Sequence, residues 1–113
     1  MNPFHLYLYG PGQGPISTTF EEVEHRLEGL ERLYFEPDGS FVWSSQGGKE
    51  QIFGMVYDAA GQVQYFELRG HCRRTSWQGL LDVLTGGQNS DLQVLLLPRR
   101  ELQELQTFEA SLE

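Results

Sequence analysis

The sequence predicts an α+β domain in which helices pack on a largely antiparallel sheet of five to six strands. Three observations lead to that class. Two hairpin signals follow one another in the middle of the chain. Segments with apolar residues at spacings of three and four flank them. The hydrophobic fraction of 39% and aromatic fraction of 12% suit a packed core rather than a disordered chain.

Residues 4–9 read as a first strand, with Phe4, Leu6 and Leu8 pointing one way and His5, Tyr7 and Tyr9 the other. Glycines and prolines at positions 10–15 end it. Thr18 with Glu21 fits a capping box, and Phe20, Val23, Leu27 and Leu30 then form one helical stripe. Glu36-Pro37-Asp38-Gly39 is a turn between strand-like residues 33–35 and 41–44. Residues 52–57 and 63–69 are rich in aromatic and β-branched side chains and flank Asp58-Ala59-Ala60-Gly61, which suits a bulged hairpin. Thr75 or Ser76 caps a helix carrying Trp77, Leu80, Leu81 and Leu84, which Gly86-Gly87 ends. Residues 92–97 are apolar on both faces, so this strand belongs inside the sheet. After Pro98 a last helix carries Leu102, Leu105 and Phe108, although Arg99 and Arg100 suit the start of a helix poorly. The order is β-α-β-β-β-β-α-β-α.

At 113 residues the whole chain, residues 1–113, reads as one domain. Leu112-Glu113 matches a cloning remnant and receives no functional weight. A single cysteine, Cys72, rules out an intrachain disulfide, and no leader or membrane span is legible near the N-terminus, so a cytoplasmic location is expected. The net charge of −8 argues against nucleic acid or anionic membrane as partners. Seven acids against Arg26 and Arg32 give residues 17–38 a net of −5, whereas residues 69–74 carry +3 from Arg69, Arg73 and Arg74.

Three-residue loops in both hairpins make partner numbers sum to 76 in the first and 120 in the second. Ile52, Val56, Phe66 and Leu68 then share one face with Gly54 and Gln64. Phe53, Met55, Tyr57, Val63, Tyr65 and Glu67 share the other. Neither face is polar, so the second must be covered. The chain's own C-terminal helix is the favoured cover. The alternatives are a second copy, giving a homodimer through the Tyr57 and Tyr65 face, or another protein, for which Tyr and Met are suited residue types.

No catalytic or metal-binding motif stands out. Gly10, Gly12 and Gly14 miss the spacing of both phosphate-binding fingerprints, no Lys or Arg is near, and Pro11 and Pro15 remove two backbone donors. One Cys and three dispersed His residues do not compose a zinc site. Gly70-His71-Cys72-Arg73-Arg74 is the most distinctive segment. A thiolate beside His71 and arginines has the electrostatics of an activated nucleophile, but adjacent residues of a strand face opposite ways, and a buried, inert Cys72 is the simpler reading. The arginines suit a carboxylate or phosphate, or salt bridges to the acidic first helix. The expected function is that of an acidic accessory or protein-binding domain without catalysis or cofactor. A small ligand-binding domain or enzyme using residues 71–74 is the alternative. The candidate binding residues are Met55, Tyr57, Tyr65, Arg69, His71, Cys72, Arg73 and Arg74.

Overall fold

The N-terminal alternation forms strand β1, Phe4–Tyr9, with Leu6 and Leu8 fully buried. In the computed structural model, which describes residues 1–113, β1 lies near the middle of a seven-stranded sheet. The other strands are β2 (Leu33–Phe35), β3 (Ser40–Ser44), β4 (Gln51–Ala59), β5 (Gln62–His71), β6 (Gln93–Leu96) and β7 (Glu101–Glu104). Their order is β2-β3-β4-β5-β1-β6-β7, and every neighbouring pair is antiparallel. Helices α1 (Phe20–Glu28), α2 (Arg74–Thr85) and α3 (Leu105–Ala110) complete the α+β fold.

The seventh strand corrects the expected count of five to six. Leu102, Leu105 and Phe108 have helical spacing, but Leu102 sits in β7 opposite Leu95, and α3 begins only at Leu105. Arg100, at φ 59°, turns the chain back so that residues 101–104 pair with β6.

The first hairpin has the expected register, with Leu33 opposite Trp43 and Phe35 opposite Phe41. The second differs. Ala60 and Gly61 both have positive φ, 51° and 88°, as a two-residue type I′ turn requires. Tyr57 then faces Tyr65 and Met55 faces Glu67, so partner numbers sum to 122. A bulge between Tyr57 and Asp58 shifts the register near the turn, and Val63 swings to the core face, where it is fully buried. It therefore leaves the face assigned to it from the sequence.

Two helix starts also move. Thr18 is buried and its hydroxyl accepts from Arg26 Nη2 at 2.7 Å, so the capping box forms one residue later, between Thr19 and Glu22. Helix α2 starts at Arg74 rather than behind a Thr75 or Ser76 cap, and the Arg73 N–H donates to the Glu50 carboxylate at 2.8 Å.

All three helices pack on one face of the sheet. Leu6, Leu8, Ile52, Val56, Phe66, Leu68 and Val94 meet Val23, Leu27, Leu80, Leu84 and Phe108 in one core. Trp77 sits between Phe4 and Phe108 in edge-to-face contacts, and its indole N–H donates to Glu109 at 3.0 Å. Gly54 belongs to this face because the Phe41 ring lies across it. The C-terminal helix, expected to cover the second face, is thus part of the core layer on the first.

Candidate docking face

With every helix on one side, the pleat presents the alternate residues of β1, β4 and β5 on a face that no other part of the chain covers. A half-buried tyrosine cluster occupies its centre. Tyr57 stacks on Tyr65 with ring centroids 4.6 Å apart and 20° between planes. Tyr7 and Tyr9 approach Tyr65 at 5.1 and 5.2 Å. Tyr34 is 77% exposed, Leu102 46% and Phe53 41%. One-sided antiparallel sheets ordinarily present polar side chains to water; this one presents aromatics.

Two rows of side chains run across the three central strands beside the cluster. Met55 faces Glu67, and Glu67 faces Tyr7. One step along, Phe53 faces Arg69, and Arg69 faces His5. Glu67 ties the rows together: it accepts from the Tyr57 hydroxyl at 2.9 Å and pairs with His5 Nε2 at 2.7 Å. The bond to His5 is the main reason the Glu67 carboxyl is held below its usual range, with the Tyr57 bond adding to it. The same carboxylate pushes the Tyr57 hydroxyl up to about 12, so at neutral pH Tyr57 is a fixed donor. Burial and the neighbouring phenols raise Tyr65 as well. The Arg69 guanidinium lies over the Phe53 ring at 5.5 Å, a cation–π contact. Tyr34, Val42, Phe53, Met55, Glu67 and Arg69 border a shallow groove of about 360 Å³.

The candidates taken from sequence separate into two groups. Met55, Tyr57, Tyr65 and Arg69 come together on the open face. His71 pairs with Gln51 at the end of β5. Cys72 is buried, and burial above all pushes its thiol up to about 12, with the Glu50 charge contributing. Arg73 and Arg74 are exposed at the start of α2, where Arg74 Nε donates to the Glu109 carbonyl at 2.9 Å. Burial therefore works against the activated thiolate considered for this segment. No group of three or more His, Cys, Asp or Glu side chains is placed to hold a metal ion.

Sequence reasoning missed that His5, Tyr7 and Tyr9 belong to the same surface as Tyr57 and Tyr65. Their alternation was legible; the pairing of β1 with β5 was not. A cleft of about 570 Å³ also opens at the end of the sheet, between Phe4, His5, Arg69, Pro98, Arg99 and Phe108. No family model, curated protein or solved structure matches this chain.

Proposed function

We propose that this chain is a non-catalytic accessory domain that binds a protein surface through its open sheet face. The tyrosine cluster carries the reading: four tyrosines gathered on a sheet face that no helix covers. Tyrosine, phenylalanine, methionine and arginine are enriched at the centres of protein interfaces, and here all four types meet on three adjacent strands. Tyrosine also orders at small entropic cost on binding, because few torsions are frozen.

Charge supports a protein partner over a nucleic acid. At −8 the chain would repel a phosphate backbone, and Arg69 is the one arginine on these three central strands. No helix is long and apolar enough to cross a membrane. A single, buried thiol suits an intracellular setting.

The ligand-binding alternative draws its support from the cleft at the sheet end, where His5, Arg69 and Arg99 border apolar walls. The open face has the stronger claim because its exposed aromatics carry a standing cost in water that a partner removes.

Affinity capture with the native chain and with Tyr65→Glu, both checked for folding, tests the docking reading. The native chain is expected to retain a stoichiometric protein, a second copy of itself included, that the variant loses. Identical retention by both would overturn the assignment of the face.

A further inference from the structure

We propose that the occupant of the open face is a second copy of this chain, the two sheets packing face to face about a two-fold axis beside Leu68. This rests on the docking reading and names its partner. The argument starts from the two rows. One row reads Met55, Glu67, Tyr7 and carries an acid; the next reads Phe53, Arg69, His5 and carries the base. An axis lying in the interface, across the strands and midway between the rows, sets each row on the other row of the second copy. An isologous contact of this kind is satisfied twice. Glu67 then meets Arg69, Met55 meets the Phe53 ring as thioethers favour, and Tyr7 meets His5. The Tyr57 and Tyr65 rings overhang the ends of β4 and β5 around Gln51 and His71, where their hydroxyls find polar neighbours.

The acidic first helix permits this pairing. Glu21, Glu22 and Glu28 are exposed on α1, on the far side of the helix layer. In a stack of helices, sheet, sheet and helices those surfaces are separated by roughly 30 Å, given layers about 10 Å apart. That exceeds the Debye length of about 8 Å at physiological salt, so the α1 glutamates oppose association weakly. Edge-to-edge growth is disfavoured: β2 has three residues, and β7 carries Glu101 and Glu104.

Sedimentation velocity of the full chain over a roughly hundredfold concentration range tests the proposal. The native chain is expected to reach twice its 12.9 kDa mass. Glu67→Arg puts bases on both rows and Arg69→Glu puts acids on both. Each variant alone should self-associate at least about tenfold more weakly, and an equimolar mixture of the two should regain native affinity. Phe53→Lys, at an exposed position outside the Glu67 network, should also be monomeric and serves if a swap variant fails to fold. A native chain that stays monomeric, or a mixture no tighter than its components, overturns the second copy. If the native chain is monomeric while capture still depends on Tyr65, another protein is the occupant and the docking reading stands. If capture is also insensitive to Tyr65, both fall.

Discussion

Glu67 makes the open face partly polar without leaving it unsatisfied. Its carboxylate holds His5 on one side and Tyr57 on the other, so three strands share one charge. Its folded pKa lies below the ordinary value of 4.5. A group depressed in this way stabilises the fold above its unfolded pKa, and the contribution is lost as pH falls through the folded value. Glu67→Gln is therefore expected to lower unfolding free energy at neutral pH by up to about 1 kcal/mol, since the pair is partly solvated. The difference between variant and native chain should close as pH falls from 4.5 through the lower folded value, which urea titrations at several pH values would measure. The residue types at this site were legible, because Tyr57, Tyr65 and Glu67 share a parity on β4 and β5. Their partner His5 was not, because it arrives from a strand that is distant in sequence.

At the scale of elements, Arg26 joins two helices that periodicity treats separately. From α1 its Nε donates to the Val83 carbonyl at 2.7 Å, and its Nη2 to the Leu84 carbonyl at 3.2 Å and the Thr18 hydroxyl at 2.7 Å. The carbonyls belong to the last turn of α2, where a helix has no partners of its own. Arg26→Ala is expected to cost about 1–3 kcal/mol in chemical denaturation, and Arg26→Lys to recover only part, because an ammonium cannot fork as guanidinium does. Gly54 is a comparable junction between strands. A Cβ there would lie 2.0 Å from Cζ of Phe41, a side chain only 2% exposed, so the ring has nowhere to swing. Gly54→Ala should cost roughly 1–3 kcal/mol by overpacking and be read in the same denaturation. Neither junction has a local signal. The first hairpin, the α1 stripe from Phe20 to Leu27 and the Gly86 stop are local chemistry and appeared where expected; the second hairpin formed at the expected residues with a shifted register, and Leu30 falls beyond the end of α1. The β7 segment did not, because whether residues 101–104 pair with β6 or join α3 depends on a strand neighbour that spacing cannot reveal.

The whole molecule is asymmetric about its sheet. Helices and their exposed glutamates lie on one side, and tyrosines, phenylalanine and methionine face outward on the other. The sequence predicts a covered second face; the fold places the C-terminal helix in the core layer on the other side and leaves that face open. That asymmetry is the basis of the functional reading, and it can be located directly in solution. Hydroxyl-radical footprinting would compare the dilute chain with the concentrated or captured assembly. Protection is expected at Phe53, Met55, Tyr57 and Tyr65, with the outer surface of α1 unchanged. Protection on α1 in place of these residues, or none anywhere, would contradict the claim that the open sheet face is the working surface.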